Sequence, residues 1–388
     1  MGGKIVTGKG PLAGVRIVEL AGIGPGPFCG MMLADLGAEL IRVDRAGNTP
    51  WGAGDSLGRG RKSIAVDLKK PGAADLVLRL VAGADALIEG YRPGVAERLG
   101  LGPDACLAVN PKLVYGRMTG WGQEGPLASA PGHDINYLAL SGMLWPIGPA
   151  DRPPPAPLNL VGDFGGGGMM LALGIVAAIL SARTTGKGQV VDAAMVDGAA
   201  VLGTMIFGMI GAGRWKVERE ANMLDGATPF YGVYETSDGK YVSIGSLEPQ
   251  FYAALLSSLN LTDPRFTKQW DKAMWPDLRA ALTATFRSKT RDEWSALLEG
   301  GDVCFAPVLD PIEATQHRHN VARGTFQPSD QGVVPKPAPR FSGTPTAIPP
   351  MAGVPGSETG AILRAAGFTD TEIAAALEAG IVAGRTER

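Results

Sequence analysis

The chain of 388 residues carries 36 Lys plus Arg against 38 Asp plus Glu, a net charge of −2. It has room for two or three domains but neither the basic field that nucleic acid needs nor an acidic tail. Hydrophobic residues at 45% exclude disorder and allow a large core, and a charged fraction of only 19% points to surface buried between subunits.

In chain order, residues 15–20 (VRIVEL) are apolar and β-branched and predict a strand. Gly22–Gly26 reads as a loop. Phe28–Leu36 reads as a helix, with Phe28, Met32 and Leu36 recurring every four positions and Gly37 as its stop. Strands are expected at 39–43, 63–67, 85–89 and 113–118, with helices at 71–82 and 103–109 between the later ones. This alternation implies a mostly parallel α/β sheet. Ligands of such sheets bind beyond the carboxyl ends of the strands, here Gly22–Gly26, Asp44–Arg45, Val66–Leu68, Glu89–Arg92 and Gly120–Gly122. Arg45 and Arg92 on that rim suit phosphates.

Phe164–Ala182 is 19 residues without a charge, long enough to cross a membrane. It opens on Phe and four glycines, so it reads as a buried core helix and not a span, and Ala199–Gly213 reads the same way. Residues 231–235 and 241–245 alternate around Asp238–Gly239, a hairpin signal. Helices follow at 250–259, 275–287 and 291–299, the last opened by a Thr290/Glu293 capping box. Asp310–Pro311 starts a helix to about His319, residues 333–356 are a Pro-rich connection, and helices near 359–366 and 370–379 follow. Cys29, Cys106 and Cys304 are far apart, which leaves no disulfide framework or zinc cage and suggests a reducing, cytoplasmic setting. Neither a secretory leader nor a peroxisomal address is expected.

The first strand and loop mimic a dinucleotide fingerprint, but the third glycine is replaced by Pro27 or Cys29, depending on the frame. A structural turn with two trans prolines fits better than a nicotinamide or flavin site. His317 and His319 are two apart and cannot share a helix face, so surface positions are expected. His133 lies in Pro131-Gly-His-Asp-Ile-Asn-Tyr137, where Asp134 can favour an imidazolium or fix a tautomer. Asp163 is the only charge between Arg152 and Arg183. It reads as a helix N-cap or, beside Gly165–Gly168, as a site carboxylate where bare backbone lets a ligand approach. Glu248 before Pro249 is likewise a cap or a site acid. Neither a Gly-x-Ser-x-Gly elbow nor a Walker-A loop occurs.

Together these segments carry a resemblance. Leu20–Gly26, Met32-Leu-Ala-Asp-Leu-Gly37, Arg42-Val-Asp-Arg45 and Glu89-Gly-Tyr-Arg-Pro-Gly94 resemble the type III CoA-transferase superfamily. Met118–Gln123, Gly132–Tyr137, Pro157–Gly167, Gly186–Asp192, Asn222–Gly226 and Glu248–Tyr252 narrow it to the α-methylacyl-CoA racemase family, over about residues 11–345. That resemblance implies exchange of the α-proton of a 2-methylacyl-CoA thioester through an enolate. His133 and Asp163 would act from opposite faces, Glu248 would bond the histidine, and Asp134 and Asn159 would support them. It places coenzyme A at Arg45, Ala65, Val66, Asp67, Leu68, Glu89, Gly90, Tyr91, Arg98 and Gly132, with Ile135, Asn136 and Tyr137; Arg92 joins them from the strand-end rule. The Gly132–His133 backbone is a candidate for the enolate oxygen. The acyl chain would lie over some of Met169, Met170, Met195, Met205 and Met209, which read equally as core.

The implied fold is α/β: a large Rossmann-like parallel-sheet domain plus a smaller α+β domain in an interlocked homodimer. The expected division is 1–195 for the first part of the large domain, 196–226 for linker helices, 227–312 for the small domain and 313–388 for the return. No metal or further cofactor is implied, coenzyme A being part of the substrate. The rival is a CoA-transferase with Asp163 as acyl-accepting nucleophile. His133 discriminates, because the transferases lack the Gly-His-Asp-Ile-Asn-Tyr segment. The tail beyond about 355 looks more like the superfamily at large than the racemases and leaves the acyl class open.

Overall fold

The computed structural model describes residues 9–45, 56–329 and 332–384. The chain divides into two compact units: Met1–Gly142, Pro157–Gly203 and Phe326–Arg388 form unit 1, and Met143–Ala156 with Thr204–Thr325 form unit 2. Unit 1 begins with β1 (Arg16–Leu20), α1 (Pro25–Asp35), β2 (Glu39–Asp44), β3 (Arg61–Val66), α2 (Ala73–Val81), β4 (Ala86–Glu89), α3 (Val95–Arg98) and α4 (Pro103–Val109). It continues with β5 (Val114–Thr119), α5 (Asp134–Leu140), a π-helix (Leu160–Met169) that runs into α6 (Met170–Thr185), β6 (Gln189–Ala194) and α7 (Met195–Leu202). Unit 2 holds α8 (Thr204–Gly211), β7 (Tyr231–Glu235), β8 (Tyr241–Gly245), α9 (Pro249–Ser258), α10 (Trp275–Phe286), α11 (Arg291–Leu298), β9 (Phe305–Val308), α12 (Pro311–Gln316) and α13 (Arg318–Arg323). The chain returns to unit 1 with β10 (Phe326–Ser329), β11 (Gly332–Pro335), α14 (Thr359–Ala365), α15 (Asp370–Glu378) and β12 (Val382–Ala383).

The seven-stranded sheet has the order β12-β3-β2-β1-β4-β5-β6. Its first six strands in sequence run parallel in the Rossmann order, and β12 adds antiparallel to β3 through Val382 and Val66. Both faces are covered. Val18, Leu87 and Tyr115 pack with residues of α2, α14 and α15, while Ile17, Leu40 and Ile88 pack with residues of α1 and α6. The strand order reverses between β1 and β4, which opens a crevice at their carboxyl ends.

Helix α1 starts three residues before the predicted Phe28. Gly24 turns at φ 68° and Pro25 takes the first helical position, where its fixed φ and missing N–H cost nothing. The peptides before Pro25 and Pro27 are trans, as expected. Strand β6 was not anticipated. In the Gly165–Gly168 run, a Cβ on Gly166 would stand 2.6 Å from the Ala199 nitrogen, and one on Gly168 2.7 Å from the Pro25 carbonyl. These glycines let α7 and α1 close on the π-helix, which is also why α7 belongs to unit 1 and not to a linker.

Burial of the two apolar segments is one-sided. Leu171, Ile175 and Ile179 of α6 are buried, but Leu173 and Leu180 are 66% and 68% exposed. Within 199–213, Ala199 is buried while Val201 and Leu202 are exposed, and α8 has no buried residue. The expectation of full burial for Ala199–Gly213 is therefore not met within one chain. Leu160–Thr185 is long and apolar enough to cross a membrane by length and composition alone.

In unit 2 the antiparallel sheet β7-β8-β9 packs Phe230, Tyr234 and Ile244 against Tyr252, Leu278, Phe286 and Trp294. The Thr290/Glu293 box forms as predicted. The helix expected from Asp310 to His319 breaks at His317, whose backbone is extended. His317 is not a free surface side chain: its Nε2 lies 3.1 Å from Glu299.

Candidate active site

A cleft of ≈ 790 Å³ opens in unit 1 at the crevice where the strand order reverses. Its walls are the turn after β1 (Gly22–Pro27), the turn after β4 (Gly90–Pro93), the segment after β5 (Thr119–Trp121), the start of α5 and the start of the π-helix. Ile88, Met118, Phe164 and Met195 make part of it apolar, and Arg92 brings a cation to the rim. Of the candidate methionines in unit 1, Met195 lines the cleft and Met169 and Met170 do not.

His133 and Asp163, 30 positions apart in sequence, both line this cleft. His133 is the exposed N-cap of α5, and its own N–H donates to Asn136 Oδ1 at 3.0 Å. That bond occupies one of the two backbone donors suggested for an enolate oxygen. Asp163 is not an N-cap. Asn159 holds that position, and the Phe164 N–H reaches back to the Asn159 carbonyl at 3.2 Å, the five-residue spacing of a π-turn. The wide turn is seated on Asp134, whose Oδ1 accepts the Asp163 N–H at 2.6 Å. Asp134 is buried, and its Oδ2 has no hydrogen-bond partner among the described residues.

Burial pushes the Asp163 carboxyl above the ordinary carboxylate range, and the Asp134 charge adds to the rise. A side-chain hydrogen bond from Asn159 and the nearby His133 oppose it. Opposite the carboxylate, a Cβ on Gly24 would lie 3.2 Å from Asp163 Oδ2, so the turn after β1 approaches it closely. Tyr137 stands edge-on to Trp121 at 4.7 Å between ring centroids. Burial and the Asp163 charge raise its phenol, and Arg92 lowers it.

The remaining predicted positions divide clearly. Gly90, Tyr91, Arg92, Gly132, Asn136, Tyr137 and Asn159 line the cleft. Arg45, Ala65, Val66, Asp67, Leu68, Glu89, Arg98, Asp134 and Ile135 do not. Ala65 and Val66 are in the core of β3, paired on one edge with β12. Asp67 and Leu68 are half-buried just beyond the strand, and Arg45, Arg98 and Ile135 are exposed. Glu89 is buried at the end of β4, where its Oε2 accepts the Tyr91 N–H at 2.7 Å, so it holds the rim from behind. Glu248 lies in unit 2 as the exposed N-cap of α9 before Pro249, with no side-chain cap bond. Gly165–Gly168 do not line the cleft, so their use here is helix packing and not ligand approach. Leu57 and Phe164 also line the cleft, and neither stands out as a site residue from local pattern. Among the described residues no group of three or more His, Cys, Asp or Glu is placed to hold a metal ion.

A carboxyl and an imidazole thus line one cleft at the switch point of a Rossmann-ordered sheet, the place where such folds bind their ligands. The model for CoA-transferase family III matches residues 12–359, and the chain belongs to that family. It is 46% identical to the α-methylacyl-CoA racemase of Mus musculus and 45% identical to that of Homo sapiens, in each case over 93% of this chain and 95% of the relative. Among solved structures it resembles a CaiB/BaiF family protein from Brucella suis, with a TM-score of 0.78 and 28% identity over 92% of this chain and 100% of that one.

Proposed function

We propose that the protein inverts C2 of 2-methylacyl-CoA thioesters by α-proton exchange through an enolate, with His133 and Asp163 as the acid–base pair. The observation that carries this is the Asp163 carboxyl, raised by burial and by Asp134, in the same cleft as His133. The similarity to the two racemases supports the substrate class. For one enantiomer neutral His133 takes the α-proton and protonated Asp163 delivers another to the opposite face. For the other the Asp163 carboxylate takes the proton and the His133 imidazolium returns one. A raised carboxyl suits this double duty, since a group far from the operating pH gives or takes protons poorly.

Coenzyme A enters as part of the substrate, with Arg92 and Arg45 near its phosphates and Gly90, Tyr91, Gly132, Asn136 and Tyr137 along its path; no metal or other cofactor takes part. The enzyme works as an interlocked homodimer, in which Glu248 of one chain reaches His133 of the other. The exposed apolar residues of α6, α7 and α8 support such a partner. The three unpaired cysteines support a cytoplasmic setting.

Incubation of a single enantiomer of a 2-methylacyl-CoA in deuterium oxide tests the reaction. Deuterium at C2 with loss of optical purity is expected. The family name favours one other reading, acyl transfer with Asp163 as nucleophile. CoA transfer to a free acid without exchange at C2 would establish that reading instead.

A further inference from the structure

Beneath the cleft lies an ion pair that the proposed proton transfers do not use. Glu19, on β1, is 1% exposed, and the Arg61 side chain, at the start of β3, is fully buried. Arg61 Nε and Nη2 donate to the two Glu19 oxygens at 2.6 and 3.1 Å. The same guanidinium donates through Nη2 to the Pro27 carbonyl at 2.6 Å and through Nη1 to the Leu57 carbonyl. Pro27 and Leu57 both line the cleft, one from the first turn of α1 and the other from the 3₁₀ turn Ser56–Gly58. Helix α1 passes directly over the pair: a Cβ on Gly30 would stand 2.6 Å from Glu19 Oε2, so only glycine brings the helix this close.

A buried pair of this kind is weak evidence for stability, since apolar residues of similar volume often do as well. Apolar residues could not hold two carbonyls. A planar fork can, because its N–H directions are fixed and its charge is matched by the bidentate acid. The turn it grips is the one that faces Asp163, where a Cβ added to Gly24 would lie 3.2 Å from Asp163 Oδ2.

We propose that Arg61, locked by Glu19, is a positioning residue that fixes the β1–α1 turn and the Leu57 turn as one rigid wall of the cleft, and so sets the bearing of Asp163 on the reacting carbon. This rests on the proposed role of Asp163. The test compares wild type with Arg61→Lys and with the apolar double variant Glu19→Leu/Arg61→Met, by kcat and KM for inversion, deuterium entry at C2 and thermal midpoint. Lysine keeps the charge but loses the fork. Arg61→Lys is expected to lower kcat by about tenfold or more, the scale of a sub-ångström misplacement, with KM changed little. The double variant is expected to melt at or above wild type while losing kcat to a similar extent. Wild-type kcat in Arg61→Lys, or in a folded double variant, overturns the proposal. So does a loss in Arg61→Lys that is matched by a fall in thermal midpoint and absent from the double variant. If the double variant does not fold, the Arg61→Lys split between kcat and KM decides. Absence of inversion and exchange in wild type itself would instead refute the reading of Asp163.

Discussion

Replacing Glu89 by Gln should change how stability depends on pH more than it changes stability at any one pH. Glu89 ends β4 at 2% exposure, accepts the Tyr91 N–H, and has Arg117 Nε at 3.4 Å. Arg117 does not serve it alone: one Nη pairs with Glu97, and the other donates to Gln123 at 2.8 Å. Burial pushes the Glu89 carboxyl from 4.5 up to about 7. The Glu97 and Asp192 charges add to this, and the Tyr91 N–H and Arg117 oppose it. Between those two pH values the folded chain holds a proton that the unfolded chain has released. Stability therefore falls as pH rises through this window, by about 1.4 kcal/mol per pH unit and about 3 kcal/mol in all. The contribution is neutral below 4.5, where both states are protonated. Glutamine carries no such proton, yet its amide oxygen can still accept from Tyr91. At roughly 2 °C per kcal/mol for a unit of this size, the thermal midpoint of Glu89→Gln should gain about 6 °C on wild type between pH 4.5 and 7.5. Parallel midpoint curves for the two proteins across that range would refute the burial account.

Replacing His133 by Ala should abolish inversion while leaving CoA-thioester binding largely intact, as read by single-turnover exchange beside equilibrium binding. Asp134→Asn removes the negative charge that raises Asp163, so the acid limb of the kcat/KM profile should move to lower pH; an unmoved limb would separate Asp134 from the titration. Gly166→Ala places a methyl 2.6 Å from the Ala199 nitrogen. It should cost about 1–3 kcal/mol by overpacking, seen in a denaturant midpoint, with a larger fall in kcat than in substrate affinity.

Most of the α/β framework was legible because its strands are short apolar runs and its helices carry plain start and stop residues. β1 and the capping box at Thr290 needed only local rules. What escaped depends on partners distant in sequence. Strand β6 is recognisable only once β5 is there to pair with it, from Val114↔Gln189 to Thr119↔Ala194. The exposed faces of α6 and α8 are apolar in the sequence in the same way as a core, and one chain does not bury them. His133 and Asp163 stood out as isolated chemistry in apolar or glycine-rich surroundings. Of the two readings the sequence allows for Asp163, helix cap or site carboxylate, the cap fails, because a π-turn has no sequence signature separate from its glycines. Glu19, Arg61, Glu89 and Arg117 did leave a trace, as charges within strands that the sheet buries on both faces. A charge on an otherwise buried strand is a cue to look for a second one across the sheet.

The π-helix makes the bearing of Asp163 depend on a tally of residues as well as on their identity. Ten residues from Leu160 to Met169 wind more broadly than an α-helix would. Excising one of Gly165–Gly168 would let the coil tighten and swing everything upstream by roughly 100°, the angular step of one α-helical residue. The carboxylate would then leave the cleft with every side chain there still intact. Length, in this stretch, is as unforgiving as chemistry.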